Sequence, residues 1–209
     1  MQVSTKAIVL TYLKYGDTSL IVKAYTASDG IKSYLLKGIL SSKKGKLRTA
    51  LFQPLTQLEI VANHRNKGTL ESIREAKVSY HYQTLQTNVV KNSMSFFLAE
   101  MLGNSIHEEE QNDELFSFIE ASLQWLDINA EISNFHLYFL LLLTKYLGFY
   151  PDTNFINAEY FDLMEGEFIL APSMNPLLTG DNLSYFKQFL GTNFDTIHTI
   201  KMRKENRQE

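Results

Sequence analysis

Two stretches of the chain gather side chains capable of chemistry. His107-Glu108-Glu109-Glu110 sets an imidazole beside three carboxylates, the material of a metal site or a proton-transfer pair. The spacing works against both. Consecutive helical residues point about 100° apart and cannot converge on one ion, and no second histidine follows at the i+4 spacing of a zinc-binding helix. The stretch reads as an acidic, solvated loop. His64, His81, His136 and His198 are isolated along the chain, and no G-x-S-x-G or phosphate-loop motif occurs. With 0 cysteines, disulfides, thiolate metal sites, iron–sulfur clusters and cysteine nucleophiles are excluded together. The expectation is a protein that is not an enzyme and needs no cofactor or metal.

The second stretch runs from Lys32 to Arg48 and holds Lys32, Lys37, Lys43, Lys44, Lys46 and Arg48 without one acid, with Gly38 and Gly45 giving the backbone room to bend. Clustered cations of this kind neutralise phosphates and release counterions, which drives nucleic-acid binding without sequence preference. Arg65 and Lys67 extend the set. Tyr12, Tyr15, Tyr25, Tyr34 and Phe52 lie in the same part of the chain, and aromatic rings can stack on unpaired bases. Most are expected in the core. Tyr34, alternating with Lys32 on one strand face, is the leading stacking candidate.

These residues need a frame. Residues 1–80 hold 13 Lys and Arg against 5 Asp and Glu, a net of +8, whereas residues 81–209 hold 7 against 18, a net of −11. That asymmetry predicts two domains, a basic 1–80 and an acidic 81–209. Short β-like runs at Lys6–Leu13, Ser19–Thr26, Ile31–Lys37, Leu55–Ala62 and Thr69–Glu75, separated by turn residues, predict five strands. Five strands in so short a span suggest a small barrel such as an OB-fold. Beyond Val78 the apolar period turns helical, with Asn112 as a helix cap and an almost wholly apolar helix over Glu131–Leu147 that Gly148 and Pro151 end. Tyr160–Leu170 alternates like a hairpin around Glu165-Gly166, and Asn182–Leu190 returns to helix. The last residues, from Lys201 to Glu209, read as a solvated tail. The fold class is therefore α+β, a five-stranded barrel followed by a helical domain. The longest apolar run, Leu137–Leu143, is far short of the roughly 20 residues of a membrane span, and Met1–Lys6 does not begin a secretory signal, so a cytoplasmic location is expected. Charge alone leaves DNA, RNA and an acidic protein surface open as partners.

In order, the front half carries Lys6-Ala7-Ile8-Val9-Leu10, Tyr15-Gly16-Asp17, Ile21-Val22, Thr26 with Gly30, Lys37-Gly38, the basic loop and Gln53-Pro54. Leu70, Ile73-Arg74-Glu75-Ala76 and Tyr146-Leu147-Gly148-Phe149-Tyr150-Pro151 continue the series. This ordered set resembles the RecO family of bacterial recombination mediators. The resemblance implies an N-terminal OB-fold that binds single- and double-stranded DNA and a C-terminal helical domain. It also implies strand annealing, and placement of a RecA-type recombinase with a RecR-type partner and the tail of the single-strand-binding protein, at the nucleoid. Lys37, Lys43, Lys44, Lys46 and Arg48 match the family's basic loop as phosphate contacts. Three departures stand out. The four-cysteine zinc insertion of many members is missing between Asn154 and Pro172, so a zinc-free hairpin is expected there. Ile39-Leu40 replaces a basic position often found after the Lys-Gly pair. Family chains usually add a further helix past the position of Arg203-Lys204.

Overall fold

A computed structural model describes residues 1–41, 47–65, 67–203 and 205–207. They form two compact units, Met1–Asn129 and Ala130–Glu209. The first unit begins with five strands, β1 (Gln2–Tyr15), β2 (Ser19–Thr26), β3 (Gly30–Leu36), β4 (Gln57–Asn63) and β5 (Ser72–Val78), and adds helices α1 (Val89–Ser105) and α2 (Asp113–Ile128). The strands pair antiparallel in the order β3-β2-β1-β4-β5. Alternation sets the inner face: Ala7, Val9, Leu20, Val22, Tyr34, Leu36, Leu58, Ile60 and Ile73 point into one core with Phe52. The two outer strands meet at a single parallel bridge, Tyr34 to Glu71, where Leu35 N–H donates to Glu71 O (2.9 Å) and Glu71 N–H to Ser33 O (2.8 Å). This strand order, with its edges curled together, is that of an OB-fold.

β1 is longer than either neighbour. Gln2–Ile8 pairs with β4 and Ala7–Tyr15 with β2, with a register shift between Val9 and Thr11. Such an irregularity bends a strand, and from Thr11 onward the ladder partner of β1 is β2 alone. Thr11–Tyr15 thus pairs only with Ser19–Lys23 of β2 and turns at Gly16, while Leu20–Lys23 pairs on its other side with β3.

The compact unit ends at residue 129, well beyond the basic segment of 1–80, because α1 and α2 pack on the sheet. Lys23 Nζ donates to Gly103 O (2.5 Å), Lys6 pairs with Glu120 (2.9 Å), and Gln57 Nε2 donates to Tyr82 Oη (3.0 Å) and Glu120 O (3.3 Å). The connection into α1 is held by Asp127 at the end of α2. Its carboxylate accepts from the backbone N–H of Gln83 (2.9 Å), Thr84 (2.8 Å) and Leu85 (2.8 Å), while buried Lys91 donates to Asp127 O and to Thr84 Oγ1, both at 2.7 Å. Burial alone would raise the Asp127 carboxyl. The three N–H donors, with Lys91 adding its charge, outweigh that and hold it below the ordinary carboxylate range. Burial lowers the Lys91 ammonium, against the pull of Asp127.

The His107–Gln111 segment is more than a solvated loop. Ile31 N–H donates to Glu108 O (3.0 Å), and Glu109 covers the end of Lys32. Gly30, with φ +62°, is required here, because a Cβ would run into the backbone of Glu108 and Glu110. As expected, Asn112 caps α2, accepting from Leu115 N–H (2.9 Å).

The second unit holds α3 (Phe135–Tyr146), a small sheet of β6 (Tyr160–Asp162), β7 (Glu167–Ile169) and β8 (Leu177–Leu178), and α4 (Gly180–Leu190). The hairpin expected at Tyr160–Leu170 is β6–β7. Phe161, Phe168 and Phe186 form its core, and the Asp162 carboxylate gathers its loops, accepting from Ser173 Oγ (2.7 Å), Asn175 Nδ2 (3.0 Å) and Met164 N–H (3.0 Å). The Ser173 hydrogen bond leads, and with these other donors it keeps the carboxyl below its ordinary range despite burial. The chain end departs from the expected solvated tail. Glu205–Arg207 is a 3-10 turn, Asn206 donates to Asn182 Oδ1 (2.8 Å) and Arg207 Nε donates to Asn134 Oδ1 (3.1 Å). Asn134, buried at the N-cap of α3, and Asn182, partly buried on α4, supply partners that tail composition cannot reveal. No described helix is long and apolar enough to cross a membrane.

Candidate nucleic-acid interface

At one end of the barrel a groove of about 610 Å³ opens between the end of β3 and the segment leading into β5. Leu35, Ile39, Leu47, Leu70 and Ile73 give it apolar walls, and Lys37 and Arg65 stand on it with Glu71 and Ser72. Lys37 follows β3 directly. Arg65 arrives from β4 because the Tyr34–Glu71 bridge draws the incoming segment against β3, and because Arg65 N–H donates to Glu71 Oε1 (2.8 Å). Arg48 and Lys67 are exposed nearby in sequence.

Beneath the groove lies a buried chain of hydrogen bonds. The Tyr34 hydroxyl meets His64 Nε2 at 2.8 Å, and His64 Nδ1 meets Asp29 Oδ2 at 2.8 Å. Met1 encloses the same histidine, its ammonium donating to His64 O (2.6 Å). A hydroxyl, an imidazole and a carboxylate in series look like a nucleophile relay. The geometry assigns another role, since Tyr34 is 0% exposed and no substrate reaches its oxygen. Burial first, and then the charges of Asp29 and Glu71, raise the Tyr34 hydroxyl well above its ordinary pKa, the opposite of activation. The chain instead ties the β2–β3 turn, β3 and the end of β4 into one block that carries Lys37 and Arg65.

The structure sorts the nine residues expected to bind nucleic acid. Lys37 and Arg65 share the groove, and Arg48 and Lys67 are exposed on its flanking segments. Lys43, Lys44 and Lys46 lie outside the described residues. The ends of that stretch are held at the barrel: Leu40 N–H donates to Thr18 O (2.9 Å), and Phe52 is buried in the core. Two expectations are corrected. Tyr34 cannot stack on a base, because its ring fills the core and its hydroxyl is bound to His64. Lys32 is 5% exposed and its ammonium is taken by Glu109 (2.8 Å), so it does not present a free charge. Both lie on the inward side of β3, a choice of face that a run of mixed polar and apolar residues leaves ambiguous. His64 escaped the sequence reading because its partners lie 30 and 35 residues away.

In the second unit a cavity of about 720 Å³ is lined mainly by apolar groups, among them Leu137, Leu140, Phe149, Met164 and Tyr185. Among the described residues no group of three or more His, Cys, Asp or Glu is arranged to hold a metal ion.

Comparison with known proteins places this frame. The family described as Recombination protein O N terminal matches residues 1–82, and Recombination protein O C terminal matches residues 86–209. A DNA repair protein RecO of Christiangramia forsetii is 50% identical over 209 residues, covering 100% of this chain and 87% of that protein. The RecO of Flavobacterium johnsoniae is 48% identical over 200 residues, covering 96% and 84%, and that of Porphyromonas gingivalis is 31% identical over 217 aligned positions, covering 100% and 88%. The meeting-edge barrel, the helical continuation and these matches along the whole chain agree: it belongs to the RecO family of DNA repair proteins.

Proposed function

We propose that this chain is a non-enzymatic mediator of recombinational repair whose barrel captures the backbone of single- and double-stranded DNA, anneals complementary strands, and helps a RecR-type partner place a RecA-type recombinase on strands coated by single-strand-binding protein. The observation that carries this reading is the joining of Lys37 and Arg65, 28 positions apart, on one groove of a RecO-family barrel. Arg48 and Lys67 are exposed on the segments flanking that groove, and the sequence adds Lys43, Lys44 and Lys46 to the cations between Lys37 and Arg48. Two complementary strands repel through their phosphates, and cations that neutralise both lower the barrier to their meeting without forming any bond. The acidic helical part is left to dock proteins, and the workplace is the cytoplasmic nucleoid.

The test is annealing of complementary oligonucleotides coated with single-strand-binding protein, with binding measured across a salt series. Roughly five phosphate contacts on a single strand give a log–log slope of about −3.5. Substituting Lys43, Lys44 and Lys46 with Glu should flatten that slope and slow annealing. Absence of annealing by the unaltered protein, together with preference for structured RNA over unpaired DNA of equal length, would overturn the reading.

A further inference from the structure

We propose that a pocket between the segment entering β4 and the start of α1 seats one nucleobase, adenine in preference, supplied by an unpaired strand; this rests on the nucleic-acid function proposed above. The pocket holds about 210 Å³, and Gln53, Pro54, Gln86, Asn92 and Phe96 line its open side. Its other walls, Tyr82, Leu85 and Ser95, are fixed by the fold. Tyr82 Oη donates to Leu55 O (2.8 Å), Ser95 Oγ donates to Lys91 O (2.9 Å), and Leu85, 2% exposed, donates its N–H to the Asp127 carboxylate (2.8 Å). The buried hub under α1 and α2 thus holds one wall of the pocket in place. The open side is different. Among the described residues no hydrogen bond engages the carboxamides of Gln53, Gln86 and Asn92. Asn92 and Phe96 stand one helical turn apart on the same face of α1, so an amide and a ring that is 53% exposed border the same space.

None of the lining residues carries a charge, so a phosphate, a carboxylate or an ammonium finds no counter-charge there. A carboxamide offers a donor and an acceptor side by side, which suits a neutral planar group with the same pair on its edge. Asn and Gln match adenine at N6 and N7 in this way, and Phe96 supplies a ring face of the kind on which unpaired bases stack. Duplex DNA keeps its bases paired and stacked, so an unpaired strand is the form that can deliver one. The chain also supplies a route. Arg48 and Gln53 bound a 3-10 turn, Thr49–Phe52, so they lie about 10 Å apart along the backbone. Leu51 N–H donates to Arg48 O (3.0 Å), and Phe52 is buried in the barrel core, which fixes the turn. A strand whose phosphate meets the exposed Arg48 passes close enough to turn a base into the pocket.

Fluorescence anisotropy on the full chain tests this with two labelled strands, a 20-mer of thymidines and the same 20-mer with adenine at every fifth position. The unaltered protein should hold the adenine-bearing strand roughly 5- to 150-fold more tightly, the range for one bidentate base contact. Asn92→Leu should erase that preference and leave the thymidine strand within about twofold. Phe96→Ala, a second variant in case one folds poorly, should weaken the adenine-bearing strand by a similar factor with its salt slope unchanged, because no phosphate contact is lost. Equal affinity of the unaltered protein for the two strands, or a preference that survives both substitutions, would overturn the pocket. Equilibrium dialysis with adenosine separates the two sources of the base: nucleoside binding that Asn92→Leu abolishes, without any adenine preference between strands, would overturn the strand as the source. If the unaltered protein binds neither strand, the broader functional reading fails, and the dialysis still decides whether the pocket takes a base.

Discussion

Two regions of the first unit use the same kinds of side chain to opposite ends. Under α1 and α2, Lys91 and Asp127 are buried, and their hydrogen bonds go to Thr84 and the backbone of residues 83–85 and 127. At the barrel groove, Lys37 and Arg65 are exposed and keep their charged ends at the surface. The first arrangement spends its charge on fastening the inter-element connection, and the second leaves its charge available to a polyanion. A lysine's type therefore says little until the bonds around it are known. Lys32 makes the point within the basic stretch itself, since Glu109 already holds it.

The contrast can be broken experimentally. The largest effect is expected for Asp127→Ala, which leaves Lys91 buried beside three unanswered N–H groups and should cost about 3 to 5 kcal/mol in urea unfolding. The same carboxyl sits below its ordinary range when folded. Its stabilisation is therefore fully present above the unfolded value of about 3.9 and lost as pH falls through the lower folded value. Asp127→Asn should remove that part of the acid dependence. A variant with unchanged stability would show that the hub fastens nothing.

Next in size is the paired substitution Lys37→Gln with Arg65→Gln. Losing two phosphate contacts should shallow the single-strand salt slope by about 1.4 and weaken binding about 25-fold near 0.1 M salt, while urea unfolding moves by no more than about 0.5 kcal/mol. A large loss of stability with an unchanged slope would merge the two regions into one structural class.

Tyr34→Phe is the smallest and the sharpest. A scaffold hydroxyl bonded to His64 should cost about 1 to 2 kcal/mol when removed, whereas a surface stacking ring would lose nothing measurable. Thermal melting of the variant decides between them.

Much of the frame was legible along the chain. All five barrel strands, the α3 helix, the Asn112 cap and the β6–β7 hairpin follow from apolar period and turn chemistry, because these are local properties of neighbouring residues. The compact unit extends to residue 129 because its helices are held to the sheet by bonds between distant residues, such as Lys23 to Gly103.

The sequence by itself determined which residue types are available: a cation-rich front, no cysteine chemistry, and strands whose periods could build a barrel. Only the tertiary structure decided which of them face outward. The register of β1 with β2 and the shift at Val9–Thr11 expose Tyr15 and Leu13, while the same pleat turns Tyr34 inward onto His64. A slip of one residue would reverse every one of those assignments, so strand pairing, more than composition, chose which side chains reach the surface.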